Sequence, residues 1–415
     1  LKLHFGFLGI AFALFYGLGP YHLSVAEVLS YFPLKLFMTL MGVTSFFTAI
    51  EVNGTISRWV TLLQSFTSEK WLPFILSLFV SSITFIGVGN ISSIGIVAPM
   101  AMSLAQNIKL NPLLMIIAIV SSANAASMSP MSLGGIVTKN LLDPYGFTPL
   151  AGWRVAFTVL VVQFFLASVG WLWLGGRKWL KEPGRRHDFT QSVQDWDRQH
   201  YMSTVLFILF VLAIAIESFH PGLEDHSRLL ATLGAEPGFL GFFAVVGLML
   251  TNAISNIDDW FQRIPWNTIF LISGLTFALQ LFQAHDAFSF IVDLLTYAKS
   301  PFVLIFVLCL SAGLLSTVSS SVGVVLPFYL PIVYKLSLVF PQIPFWYLVA
   351  AVCTCAHLVD ASPLSTLGAL CVAQISDKEL RNRTTKKLFV WGMVLAPIGA
   401  MIFALGSFYF FKLTK

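Results

Sequence analysis

Ala123-Asn124-Ala125-Ala126-Ser127-Met128-Ser129-Pro130-Met131-Ser132-Leu133-Gly134-Gly135 lies inside an apolar run long enough to cross a bilayer. Leu113 to Val120 before it and Ile136-Val137 after it belong to an ordinary span, yet the centre holds Ser, Asn, Gly and a helix-breaking Pro. A near copy stands at Ala356-His357-Leu358-Val359-Asp360-Ala361-Ser362-Pro363-Leu364-Ser365-Thr366-Leu367-Gly368. Two broken, hydroxyl-rich spans in matching places are how a secondary transporter builds a site at the bilayer midplane.

The composition agrees. The chain has 415 residues, 57% hydrophobic and 10% charged, where a soluble protein carries roughly a quarter charged residues. This is an all-α polytopic membrane protein, because the alternating pattern of an outer-membrane barrel is absent. The net charge of +5 calls for no nucleic acid, since the positive residues gather in a few loops of the kind that face the cytoplasm. Cys309, Cys353, Cys355 and Cys371 all fall in apolar segments and read as small buried hydrophobes. No P-loop, zinc motif or nucleophile elbow is present. A hydrolase built on His357 and Asp360 would have both on one helix and no oxyanion motif, so we do not read an enzyme here.

The chain repeats itself. Gly6-Phe7-Leu8-Gly9 recurs as Gly238-Phe239-Leu240-Gly241, and at the same shift of 232 Gly42-Val43-Thr44 meets Gly274-Leu275-Thr276. Ser92-Ser93-Ile94-Gly95 meets Ser320-Ser321-Val322-Gly323 at a shift of 228. Asn124, Ser127, Ser129 and Pro130 meet His357, Asp360, Ser362 and Pro363 at a shift of 233. The near-constant offset gives two homologous halves, 1–174 and 203–415, joined by a basic linker, 175–202. The second half opens with a span, Tyr201 to Phe219, that has no counterpart before Gly6. We therefore expect the natural protein to have one more N-terminal helix than this chain.

Spans are expected at 5–19, 33–50, 112–140 (broken), 151–174, 203–219, 238–251, 266–283, 345–375 (broken) and 387–410. Asn53 to Phe66 and Asp286 to Ala298 have the spacing of amphipathic interfacial helices. Each is followed by a long apolar region with a polar centre, 71–107 around Gly87-Val88-Gly89-Asn90-Ile91-Ser92-Ser93-Ile94-Gly95 and 300–340 around Ser316-Thr317-Val318-Ser319-Ser320-Ser321-Val322-Gly323. Each is too long for one span and has short arms for two. Re-entrant hairpins fit, with tips aimed at a site where protein or a water-filled cavity satisfies the irregular backbone. Placing the basic segments Gly175 to His200 and Ser376 to Lys387 inside puts most of the 24 lysines and arginines on that face. The first hairpin then opens inside and the second outside, so the two halves have inverted topology.

An unpaired hydroxyl or amide in hydrocarbon costs several kcal/mol, and the two tips and two breaks concentrate such groups. Half-helix N-termini there suit an anion, and unwound carbonyls and hydroxyls suit a small cation. Scattered serines such as Ser77, Ser168 and Ser311 need no more than close helix packing to explain them. Asp360 and His357 stand out, because an ionisable group at midplane points to function by default. Asp360 suits a cation ligand or proton carrier, and His357 suits a titrating partner. Glu27, Glu51, Asp258 and Asp259 read as interfacial, and Lys139 and Lys335 as snorkelling to the membrane surface.

Leu40-Met41-Gly42-Val43-Thr44, Asn53-Gly54-Thr55, Gly89-Asn90, Ala98-Pro99-Met100-Ala101-Met102, Asn111-Pro112-Leu113-Leu114-Met115, Ala123-Asn124-Ala125 and Ser129-Pro130 resemble the signature of the MatC malonate and C4-dicarboxylate carriers. These belong to the ion transporter superfamily, which also holds the divalent-anion/sodium symporters. The resemblance implies an elevator-type transporter. Hairpins and broken helices form a mobile domain on a scaffold, often dimeric, and a carboxylate lies between tips and breaks with cations beside each tip. It implies Gly89, Asn90, Ser92, Ser129, Pro130 and Ser132 for one half-site, and Ser319, Ser320, Ser321, Ser362, Pro363, Ser365 and Thr366 for the other. The symporters' Ser-Asn-Thr triplets are not reproduced, which leaves Na⁺ and H⁺ both open.

The sequence thus leads us to expect a multi-pass inner-membrane carrier, a homodimer, that moves a C4-dicarboxylate or malonate with Na⁺ or H⁺ and needs no other cofactor. An inorganic anion carrier for sulfate or bicarbonate, or a passive anion channel, are the alternatives. The substrate-binding candidates are Asn90, Ser92, Ser93, Ser129, Pro130, Ser132, Ser320, Ser321, Ser362, Pro363, Ser365 and Thr366. The cation-coupling candidates are Gly89, Asn90, Asn124, Ser127, Ser319, His357 and Asp360. No ligand set for Na⁺ is assigned.

Overall fold

The computed structural model describes residues 4–65, 69–181, 196–219, 237–287, 289–296 and 300–412. Every regular element among them is helical. In chain order they are α1 (5–18), α2 (25–30), α3 (34–52), α4 (55–65), α5 (72–83), α6 (90–107), α7 (112–126), α8 (133–142), α9 (149–171) and α10 (177–181). After the linker come α11 (198–219), α12 (237–250), α13 (257–263), α14 (266–284), α15 (289–296), α16 (301–316), α17 (326–339), α18 (345–358), α19 (366–373) and α20 (378–412). Five helical stretches are long and apolar enough to cross a membrane: Leu34–Val52, Pro149–Lys181, Trp266–Ala284, Ser321–Val339 and Lys378–Tyr409. All four cysteines are free and buried.

Local chemistry sets the boundaries. Asn111 caps α7 by accepting from the Leu113 amide at 3.0 Å, with Pro112 at the first helical position, where its missing N–H costs nothing. Thr148 and Pro149 start α9 in the same way. Helical structure is interrupted between α7 and α8 and between α18 and α19. Ser129 Oγ accepts from the Met131 amide and Ser362 Oγ from the Leu364 amide, at 3.2 and 3.3 Å. These matching turns hold the chain out of helix around Pro130 and Pro363.

Several expected boundaries shift. The last span begins at Lys378 rather than 387, because Asp377 caps it by accepting from the Leu380 amide at 2.6 Å. Its basic first turns are good helix formers carrying a Glu379–Arg383 ion pair one turn apart. The span placed at 203–219 likewise starts at Arg198. Two short helices were not anticipated, α2 and α13, and they hold Glu27 and Asp259. Ser24 and Glu27 form a reciprocal capping box, and Asn256 accepts from the Asp259 amide at 3.0 Å. The amphipathic segments are helical over 55–65 and 289–296, with Ile56 buried. Phe66 and residues 288, 297 and 298 of those two segments lie outside the described residues, as does the linker from 182 to 195.

The packing divides the molecule. Helix α1 lies along α14 and α3 along α12. A Cβ on Gly42 would fall 2.0 Å from the Gly238 carbonyl oxygen, and one on Gly274 2.0 Å from that of Gly6, so both crossings bring backbone against backbone. The other group is centred on α7 and α18. Every residue of α7 except Ala118 is buried, as is all of α18 after Trp346. Helices α5, α6 and α9 pack on α7, while α16, α17, α9 and α20 pack on α18.

Contacts at the two ends sort with charge. On the side of the basic segments, the Trp179 indole donates to the Lys70 carbonyl, and His200 Nε2 lies 3.0 Å from the Asn53 carbonyl oxygen. On the opposite side, Asp143 is 3.9 Å from Lys35, and Gln283 donates to the Tyr145 hydroxyl. The Tyr145 ring also stacks on Tyr334 with centroids 4.0 Å apart. Lys335 lies 2.6 Å from Asp286 and holds that carboxyl below the usual carboxylate range. Its partner there is a carboxylate, a more specific role than the snorkelling expected of it.

Candidate functional site

The site is assembled from the segments between α5 and α6, α16 and α17, α7 and α8, and α18 and α19. Gly89 adopts φ +78°, a left-handed geometry that is cheap only without a Cβ, and thereby turns the chain into α6 at Asn90. Each turn is tied by a pair of hydroxyls: Thr84 donates to Ser93 at 2.8 Å, and Ser316 and Ser321 are 2.9 Å apart. Thr84 and Ser316 are separated by the repeat shift of 232, and so match.

Asp360, 3% exposed, is the centre of one side of the site. Its carboxylate accepts from Ser316 at 3.1 Å, from Ser321 at 2.6 and 2.5 Å, and from Ser365 at 3.4 Å. Three hydroxyls from a turn, a helix end and a break thus converge on one buried carboxylate. Hydroxyl donors at these distances stabilise the charge, and a charge this deep in protein still needs a counter-ion or a proton.

The other side is neutral. Asn90 Nδ2 donates to Asn124 Oδ1 at 2.9 Å, and Asn124 Nδ2 donates to the His357 carbonyl oxygen at 2.9 Å. This amide chain joins the first turn, the first break and the second broken helix. The His357 ring is directed elsewhere. Its Nδ1–H donates to the Cys353 carbonyl oxygen at 2.7 Å, and Nε2 is buried with no partner.

Between the two sides is a small cleft lined by Asn90, Ile91, Ser320, Ser321, Val322, Asp360, Ser365, Thr366 and Leu367. Its volume of about 10 Å³ is room for about one water. The N-termini of α6 and α19 and the turn leading into α17 all reach it. The first residue of α19 is preceded by Ser365, whose side chain makes no capping bond; the Gly368 amide donates to the Asp360 carbonyl oxygen at 3.2 Å, which leaves the Thr366 and Leu367 amides available to an anion. Asp360 is the single ionisable residue of this lining.

The candidates therefore separate. Asn90, Ser320, Ser321, Asp360, Ser365 and Thr366 meet at the cleft. Gly89, Ser93 and Asn124 stand directly behind it, through the bonds given above. Ser127 donates to the Asn124 carbonyl, and Ser319 to the Leu315 carbonyl of its own helix. Ser129 and Ser362 serve the turns around Pro130 and Pro363. Ser132 Oγ is fully buried without a partner. Ser92 and His357 are off the cleft lining. Sequence reasoning missed Ser316 and Thr84, although their match across the repeat, within helices that end at the tips, was a signal for both.

Asn124 carries the amide chain by itself, which sets an expectation. Asn124→Ala leaves the Asn90 amide without its acceptor, at a cost of about 1–3 kcal/mol, while the His357 carbonyl keeps the Asp360 amide at 3.4 Å. The purified variant should melt several degrees below the parent, and uptake should fall with it. An unchanged melting midpoint would show that the chain does not hold the halves together.

No curated protein matches the chain. Residues 1–127 match the family model described as the N-terminus of the dicarboxylate carrier protein MatC, and by this match the chain is similar to the MatC-type dicarboxylate carriers.

Proposed function

We propose that this protein is a cation-coupled secondary carrier of a small dicarboxylate, malonate or a C4-dicarboxylate, in the cytoplasmic membrane, working as a homodimer by an elevator-type movement. The observation that carries the proposal is the cleft. The N-termini of α6 and α19, suited to carboxylate oxygens, stand beside one buried carboxylate suited to a cation. The family match over residues 1–127 supports reading the anion as a dicarboxylate and the protein as a carrier.

The contacts at the two ends support inverted halves. Lys70, before α5, and Lys109, after α6, both lie on the basic side, the first bonded by Trp179 and the second in a cavity with Arg383 and Lys387. A first hairpin that starts and finishes on one face would place them so. Asp286, upstream of α16, pairs with Lys335 on α17 at the opposite face, as a hairpin of reversed sense would require. The helix order from α1 to α9 recurs from α12 to α20, with α10 and α11 between them. The glycine crossings of α1 with α14 and α3 with α12 would be the scaffold, and the elements around α7 and α18 the moving part.

The cleft holds about one water, so a dicarboxylate requires the turns to part from the breaks. That is a natural consequence of alternating access, in which cation and anion are enclosed together. The half-sites are not equivalent. Where the second has Asp360, the first has Ser127, already committed to a backbone carbonyl. We place cation coupling in the second half and anion binding across both.

Proteoliposomes preloaded with unlabelled succinate or malonate should exchange it for labelled dicarboxylate outside. Sulfate and bicarbonate inside should not support that exchange. Exchange with sulfate in preference to both dicarboxylates would favour the inorganic anion reading, and flux without any acceleration by internal substrate would favour a channel.

A further inference from the structure

Outside this site the chain builds a second concave, charged feature. A cavity of about 530 Å³ lies between the α6–α7 connection and the first turns of α20, on the basic face. Its walls carry Lys109, Arg383 and Lys387, and no carboxylate lines it. Arg383 is paired with Glu379 one turn earlier. Lys109 and Lys387 have no ion-pair partner among the described residues. Arg383 and Lys387 are one turn apart on one helix, where like charges repel unless an anion sits between them.

Two further observations point to a phosphate at the membrane surface. The cavity wall includes Asn111 and Pro112, which open α7; the Leu113 and Leu114 amides are already bonded to Asn111, and it is the dipole of this 15-residue helix that favours an anion beside its N-terminus. The depth is also defined by the sequence, because α20 turns apolar at Leu388, directly after Lys387. That boundary puts the three cations at the level of lipid headgroups, with Leu110 and Leu380 supplying apolar wall beside them. Basic residues that only obey the orientation rule have no reason to converge from two distant parts of the chain on one cavity.

We infer that this cavity binds the phosphate of an anionic phospholipid of the cytoplasmic leaflet. The lipid would tie the α6–α7 connection to α20 at the basic face. The assignment does not depend on which anion the protein carries.

The test uses the full chain in detergent, with phosphatidylglycerol and phosphatidylcholine titrated separately and bound lipid counted by native mass spectrometry. The parent should retain one saturable phosphatidylglycerol in preference to phosphatidylcholine. The double variant K109A/K387A should lose that preference by on the order of tenfold or more. K178A/K181A, which removes the same charge from the same face outside the cavity, should keep it. Both variants are checked for a parental melting profile. Equal weakening by the two pairs would overturn the inference, since it would mean general attraction to a basic face. Inorganic phosphate at millimolar concentration should leave the lipid bound; its displacement of the lipid would overturn the lipid assignment in favour of a soluble-phosphate site.

Discussion

Asp360→Asn should abolish gradient-driven uptake while the protein still expresses and folds as the parent does. The substitution keeps the size and one acceptor of the side chain, and removes the charge. Ser316 and Ser365 both bond Oδ1 and can still donate to an amide oxygen, and Ser321, 2.6 Å from Oδ1 and 2.5 Å from Oδ2, can donate to that oxygen or accept from the amide NH₂. A buried carboxylate without a counter-ion is among the most expensive groups a membrane interior can hold. Its removal should leave the melting midpoint unchanged or raise it, and make that midpoint indifferent to the coupling cation. Accumulation against a gradient should fall by two orders of magnitude or more, to the passive background. If Asp360→Asn takes up substrate at the parental rate with the parental cation dependence, the carboxylate has no part in coupling.

The second large effect is expected at Gly368 and its counterpart in the first half, Gly135. In each break the chain returns so closely that the following half-helix touches the turn before it. A Cβ on Gly368 would fall 2.0 Å from the Ser362 carbonyl oxygen and 2.6 Å from that of Ala361. A Cβ on Gly135 would fall 1.9 Å from the Ser129 carbonyl oxygen. These are backbone atoms, and no side chain can swing away to make room. Gly368→Ala must therefore push α19 away from the turn, moving Ser365 from Asp360 and the Thr366 amide from the cleft. Overpacking of this kind typically costs about 1–3 kcal/mol. The loss should appear in transport more than in yield, at tenfold or greater in initial rate. Gly95→Ala is the control, since a Cβ there meets nothing within 4 Å. Equal activity of the Gly95 and Gly368 variants would show that the close return of the break is not needed.

Much of this arrangement was legible in the chain. Apolar length and a polar, proline-bearing centre located both breaks, because hydrocarbon leaves few ways to explain Ser129-Pro130 and Ser362-Pro363 in mid-span. The repeat paired Asn124 with His357 and Ser127 with Asp360, and so exposed the asymmetry between the halves. What could not be read was which hydroxyl serves which acceptor. Ser129, Ser319 and Ser362 have the composition of a ligand site, yet they bond local backbone. Ser316, in the polar centre of the second hairpin but not among the candidates, holds Asp360 from 44 residues away. Side-chain direction decides between these roles, and neither residue type nor spacing determines it at a helix end.

The helix starts that shifted have a similar cause. Hydropathy marks where a span becomes apolar, while caps and local ion pairs mark where the helix begins. Asp377 and the Glu379–Arg383 pair therefore extend α20 well into its basic segment. That extension brings Arg383 and Lys387 opposite Lys109, a meeting that distance along the chain conceals. His357 shows the converse. Its position beside Asp360 suggested a shared role, but its ring turns to Cys353 and only its backbone carbonyl joins the amide chain.

The central claim is concentrative dicarboxylate transport, and accumulation of labelled succinate or malonate in proteoliposomes tests it most directly. The Na⁺ gradient and the pH gradient are imposed one at a time. The account predicts that internal substrate rises above the external concentration under one of the two gradients, and that an ionophore dissipating that gradient collapses it. Substrate that merely equilibrates under both gradients, or that fails to enter while sulfate accumulates, would contradict it.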